Sequence, residues 1–350
     1  MMDYNRRDRV LTALQHRQPD RTPTDFQAVS EIWDRLAAHF GTDNRRELMD
    51  RLDIDCAWVD PEVDRHCNPV GPDGLMTSWG GSKSTWVSNS FGKHEEIVHF
   101  VTEGCDTIEE IDRALQLPDL DTFDFDSVTQ VCKEQDDRFL IGGYASSFYY
   151  VTLVRSTQDI LTDLIINPEL MHHLIKRVAD WHMDYHERLL KAGHGRIDAM
   201  QIADDFATQR EIMISVDMFR EFFKKPILDF IELAKSYGAV PYMHCCGSAY
   251  HLIDEFISMG IKILDPVQTV AANMEPEKLK REFGDRITFH GAGETQWILP
   301  TGTPEDCAEN ARMLSNVLGR DGGLILSSCH FMQSDVPVEN VLAFYRTENR

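Results

Sequence analysis

The sequence has no stripe of clustered lysine and arginine: 35 basic residues are set against 58 acidic ones, a formal net charge of −23. So acidic a surface repels phosphate backbones and anionic lipid headgroups, which argues against nucleic-acid and membrane-surface roles. No run approaches the 18 or more apolar residues of a spanning helix. The opening segment MMDYNRRDRVLTALQHRQPDR has no apolar stretch ahead of a small-residue cleavage site, so a cytoplasmic location is expected. No G-x-G-x-x-G loop follows the first candidate strand, which weakens a nucleotide-binding open sheet. C-x-x-C pairs are absent as well, and with them a four-cysteine structural zinc site. Internal repeats, low-complexity tracts and Gly/Ser linkers are missing, so residues 1–350 read as one domain.

What is present is the composition of a folded globular chain, 42% hydrophobic and 27% charged. Eight cysteines occur, Cys56, Cys67, Cys105, Cys132, Cys245, Cys246, Cys307 and Cys329. In a reducing compartment they remain thiols, so packing, metal binding or catalysis is expected of them rather than disulfides.

Short β-type runs alternate with helical stretches, the pattern of βα units on a parallel sheet. After a helix near 6–16, eight candidate strands follow: 22–27, 54–59, 139–143, 199–205, 240–247, 263–268, 287–293 and 323–329. A helix capped by Ser215 runs to Gly238 with a kink at Pro226, another starts at Ser248 and stops at Gly260, and a third opens with Pro304 and ends at Gly319. The turn-rich, alternating stretch 77–101 reads as a β-hairpin insertion after the second strand. The expected fold is α/β, a single (β/α)₈ TIM barrel with an N-terminal helical extension; a doubly wound open sheet is the alternative.

Barrel active sites lie at the C-terminal ends of the strands. Polar residues crowd five successive ends here: Asp204 and Asp205; His244, Cys245 and Cys246; Gln268; His290 and Glu294; Cys329 and His330. Period-two alternation puts His244 and Cys246 on one face and Cys245 on the other, packed outward. Imidazole and thiolate at that spacing can converge on Zn²⁺, and a cysteine from the last strand supplies a third ligand while leaving an open position. Cys329 is the favoured third ligand and His330 its rival. Asp204, Asp205 and Glu294 are candidates for proton transfer or substrate holding, although Asp also caps strand-to-helix junctions. Gln268, His290 and Gln296 are candidate substrate-binding groups. His182 and His186 have the i, i+4 spacing of metal ligands but precede the fourth strand, and with His172 and His173 they read as a solvated helix face.

The segments RRDRVLTALQHRQPDRTPTDF, IADDFATQREIMISVDMFREFFKKPI, YMHCCGSAYHLIDEFISMGIKILDPVQ, FGDRITFHGAGETQWILPTGTPED and GGLILSSCHFMQSDVPVENVLAF together resemble the uroporphyrinogen decarboxylase superfamily. The H-x-C-G motif with a last-strand cysteine is similar to its zinc-dependent corrinoid methyltransferase branch, which includes methylcobamide:coenzyme M methyltransferases and related demethylases. That resemblance implies a (β/α)₈ barrel, zinc on His244, Cys246 and Cys329, and methyl transfer between a small molecule (an ether or amine donor, or a thiol acceptor) and a corrinoid carried on a partner protein; a homodimer is also allowed. Many relatives have a histidine near the end of the last strand, and here Cys329 and His330 are adjacent. Decarboxylation of a smaller carboxylated substrate, or a corrinoid-binding barrel without turnover, are the rivals. Tetrapyrrole decarboxylation is disfavoured because DFQAVSEIWDRL carries no arginine-rich motif and Arg210 is the only nearby base among the strand-end segments.

Overall fold

The computed structural model describes residues 4–63, 70–89 and 92–346; Cys67 lies outside them. Helix Arg6–Leu14 opens the chain, with the Asn5 side chain accepting the Asp8 N–H. Strand β1 (Cys56–Val59) begins the central sheet, and the two-residue β2 (Glu62–Val63) follows it. The expected insertion is present as an antiparallel three-stranded sheet of β3 (Met76–Thr77), β4 (Lys83–Asn89) and β5 (Gly92–His99). β6 (Phe123–Asp124) returns to pair with β2. Then come β7 (Phe139–Ala145), β8 (Ala199–Ala203), β9 (Val240–His244), β10 (Ile263–Val267), β11 (Thr288–Gly293) and β12 (Leu324–Ser328), all parallel in the order β1-β7-β8-β9-β10-β11-β12.

The expected first strand, 22–27, is not a regular strand, yet it closes the barrel. It bridges the two open edges: the Thr24 carbonyl accepts the Asp55 and Cys56 N–H groups, the Leu326 N–H donates to the Pro23 carbonyl, and the Asp25 N–H donates to the Leu326 carbonyl. Pro23 has no N–H to give to a ladder, and the Thr24 N–H donates to the Asp55 carboxylate instead of a backbone carbonyl. Two buried arginines hold the same carboxylate: Arg9 at 2.5 Å and Arg21 at 2.6 Å.

Alternation sorts the strand residues into an inner and an outer set. Tyr242, Ile141, Ile263 and Ile325 point inward with Val10 of the first helix below them, while Met243, Leu264 and Cys245 pack outward against the helices. Each such fully buried aliphatic side chain contributes about 1.5–3 kcal/mol. One layer higher the inner positions turn polar: Trp58, Gln201, His244, Asp265, His290 and Ser327 occupy the mouth. Cys245 takes the outward position expected for it.

The structure revises several boundaries. The helix expected over 215–238 divides into Val216–Phe222 and Lys224–Ser236, because Pro226 cannot donate to the preceding turn. Ser248 does not cap: its hydroxyl donates to the Ala272 carbonyl, and the helix Ile253–Met259 begins after a 3₁₀ turn. His182 and His186 are not solvated. Both are buried, at 2% and 0% exposure, on the face of helix Pro168–Ala192 that packs on β7. His186 donates from Nδ1 to the His182 carbonyl and accepts the Tyr144 N–H at Nε2. Gly143 permits this approach, since a Cβ there, at φ 80°, would lie 2.3 Å from the imidazole ring. His172 and His173 do lie at the helix surface.

Candidate metal centre and its cavity

β9 ends at His244, and the ladder continues one step further: the Cys245 N–H donates to the Asp265 carbonyl, and the Asp204 N–H to the His244 carbonyl. The chain then turns sharply at Gly247, φ 85°, where a Cβ would sit 2.4 Å from the Thr208 carbonyl oxygen. Gln268 fixes this turn by accepting the Gly247 N–H through Oε1, which also accepts from Gln209. The result brings three ligand atoms, from Asp205, His244 and Cys246, within 4.8 Å of one another. His244 Nε2 lies 3.5 Å from Cys246 Sγ and 3.7 Å from Asp205 Oδ1, and Asp205 Oδ1 also accepts the Cys246 N–H at 2.7 Å.

Behind the cluster runs a buried relay in which His290, expected to bind substrate, instead joins Asp265 and Asp25, two carboxylates that sequence reasoning missed. Asp265 accepts from His244 Nδ1 and from His290 Nδ1, each at 2.6 Å, and Gln201 donates to it at 3.3 Å. His290 Nε2 donates onward to Asp25, which also accepts the Trp58 indole N–H. Because Asp265 takes the Nδ1 proton, the Nε2 lone pair of a neutral His244 is aimed at Cys246 and Asp205, the carboxylate–histidine arrangement that orients metal ligands. Burial works against the charged forms of both histidines, but the neighbouring carboxylates win. His244 is raised above its ordinary value by Asp265, and His290, held between Asp265 and Asp25, is raised to about 9. Asp265 is driven well below the carboxylate range despite its burial, by the two imidazoles.

The thiols move the other way. Burial pushes Cys246 far up, and the charges of Asp205 and Asp265 add to it; Cys329 is also raised, chiefly by burial. A divalent ion reverses this, because coordination deprotonates a thiol and offsets the surrounding negative charge. The donor set of one imidazole, one thiolate and one carboxylate fits zinc.

The remaining sequence candidates have other settings. Cys329 Sγ faces Thr295 Oγ1 at 3.2 Å and is not one of the three clustered ligand atoms. His330 lines the adjoining cavity. Asp204 is fully buried and accepts from Ser146, Ser147, Phe148 and Tyr149, so it caps the short helix Tyr149–Thr152 and anchors the loop after β7. Glu294 likewise caps, accepting the N–H groups of Gln296, Trp297 and Ile298. Gln296 itself is exposed. Asp204→Ala removes the acceptor for several buried N–H groups and is expected to cost about 1–3 kcal/mol, read as a lower urea midpoint.

A cavity of about 520 Å³ opens onto the cluster, within the usual range for small-molecule sites. Asp205 and His244 form its floor beside Gln201; Trp58, Tyr144 and Tyr149 are among its walls. Asp60, just past the end of β1, borders it too and is exposed there.

A closed βα barrel with a polar relay and a ligand cluster at the C-terminal mouth is the architecture of a barrel enzyme. A family model described as uroporphyrinogen decarboxylase (URO-D) matches residues 91–350, and the chain belongs to that family. It is 26% identical over 182 residues to a uroporphyrinogen decarboxylase from Aliarcobacter butzleri (strain RM4018), a match covering 51% of this chain and 48% of that one, so it spans about half the relative's length. A methyltransferase from Methanosarcina mazei shares the fold at a TM-score of 0.67 and 16% identity, over 98% of this chain and 97% of that one. Among the described residues no helix is long and apolar enough to cross a membrane.

Proposed function

We propose that this protein is a zinc-dependent methyltransferase that moves a methyl group between a small substrate and a corrinoid carried on a partner protein. The observation that supports this reading is the Asp205–His244–Cys246 cluster on the floor of an open cavity at the barrel mouth. His244 and Cys246 would hold the metal. The geometry favours Asp205 as the third ligand, with Cys329 the alternative supplied by a second sulfur. Bound zinc would act as a Lewis acid, lowering the pKa of a thiol acceptor or making the heteroatom of a methyl donor a better leaving group.

The protein's own groups do the rest. Asp265 fixes the His244 tautomer, and Gln268 and Gly247 set the turn that presents Cys246. The overall likeness to a methyltransferase fold is consistent with this reading, and the family name keeps decarboxylation as the second one.

The test combines metal analysis with a spectroscopic assay. Cob(I)alamin is offered with methyl ethers and amines, and methylcobalamin with thiols, in the presence of the corrinoid partner. Zinc-dependent transfer with at least one pair is expected. Release of CO₂ by metal-free protein, with no transfer, favours decarboxylation.

A further inference from the structure

The cavity contains one permanently charged cation. Arg45, the first residue of helix Arg45–Arg51, lines it together with Trp33. The guanidinium carbon lies 4.9 Å from the centre of the Trp33 ring, a cation–π contact. Among the described residues it has no carboxylate within ion-pair distance, although the chain carries 58 acidic groups against 35 basic ones and most described arginines around the barrel are paired. Asp60 and Asp205 line the same cavity without pairing with it. A guanidinium that no carboxylate engages can meet an incoming planar anion through two parallel hydrogen bonds.

Aromatic side chains line the same cavity, among them Phe26, Trp58, Tyr144 and Tyr149. From these walls, with a cation on the cavity wall and metal ligands on its floor, we infer that the small substrate is a flat aromatic carboxylate. Its carboxylate pairs with Arg45, its ring lies among the aromatic side chains, and its reacting substituent reaches Asp205, His244 and Cys246. The assignment of that substituent as the methyl-bearing one rests on the proposed methyl transfer; the binding mode does not.

Binding is therefore measured on protein stripped of metal with EDTA, by titration calorimetry with 4-methoxybenzoate and its neutral counterpart 4-methoxybenzamide. A charge-assisted bidentate contact predicts at least about tenfold tighter binding of the carboxylate. Arg45→Met keeps the stem on Trp33 and is expected to erase that preference while leaving the amide's affinity unchanged; Arg45→Lys, which keeps the charge without the fork, is expected to restore part of it. Arg45 is exposed, so unchanged circular dichroism and melting temperature are expected for both variants. Equal binding of the two ligands by the native protein, or a preference that survives Arg45→Met, overturns the inference. Carboxylate-selective binding without any methyl transfer counts against the proposed reaction and leaves this site standing.

Discussion

Asp265→Asn is expected to destabilise the metal-free protein by about 3–5 kcal/mol at pH 7, the cost of breaking a buried charged network while leaving its partners in place. The Asp265 carboxylate is 4% exposed and takes a short hydrogen bond from each of two imidazoles, one of which also faces Asp25. An asparagine oxygen can accept from one histidine, but its amide nitrogen confronts the other with a donor. The pH dependence has a definite sign. His290 is raised to about 9 in the fold, so its contribution is fully present below the ordinary histidine range near 6.5 and is lost as pH rises through about 9. Asp265 is depressed, so its contribution is present above the ordinary carboxylate range and is lost in acid. The gap between the native protein and the Asp265→Asn variant should therefore be widest between about pH 5 and 7 and shrink above pH 9 and in strong acid. Urea midpoints across that range, in EDTA, measure it; a gap that does not change with pH would mean that shape alone holds these residues. In metal-replete protein the same substitution should weaken zinc binding by about 10–100-fold, as losses of outer hydrogen-bond partners do.

Cys246→Ala should have the larger effect on function. It removes the clustered thiol proposed to hold the metal, and zinc affinity and methyl transfer should fall beyond the about 10–100-fold expected for Asp265→Asn. Stability should change little by comparison, because the Cys246 side chain is only half-buried and its backbone N–H keeps its bond to Asp205. Metal content after dialysis and single-turnover transfer rates, measured side by side, read both consequences. Native zinc content and native rates in Cys246→Ala would remove the cluster from the chemistry. Cys245→Ala is the control. That side chain packs outward in the core, so it should lower stability and leave metal content unchanged.

Much of this was legible from spacing. His244 and Cys246 follow from period-two alternation, and the mouth of the barrel follows from polar residues recurring at strand ends. The hairpin insertion at β3–β5 was visible in its turn-rich alternation. What sequence could not resolve was the choice between neighbours. Asp204 and Asp205 are adjacent carboxylates with opposite fates, one saturated by N–H and hydroxyl donors from the loop after β7 and the other turned to the cluster. Asp265 shares the inner face with Ile263, so alternation points to it, but the polar strand end at Gln268 draws attention past it. His182 and His186 looked exposed because helical spacing says nothing about which face meets the sheet. Gly143 carried that information, as the residue whose missing side chain admits His186. Arg45 lies far in sequence from every strand end and was brought to the cavity by tertiary structure.

The measurement that bears most directly on the central claim is X-ray absorption at the zinc edge of the purified protein, with the metal quantified in the same sample. About one zinc per chain is expected, with nitrogen or oxygen at about 2.0–2.2 Å and sulfur at about 2.3 Å, one sulfur if Asp205 completes the set and two if Cys329 does. A zinc shell without sulfur, or fully active protein without metal, would contradict it.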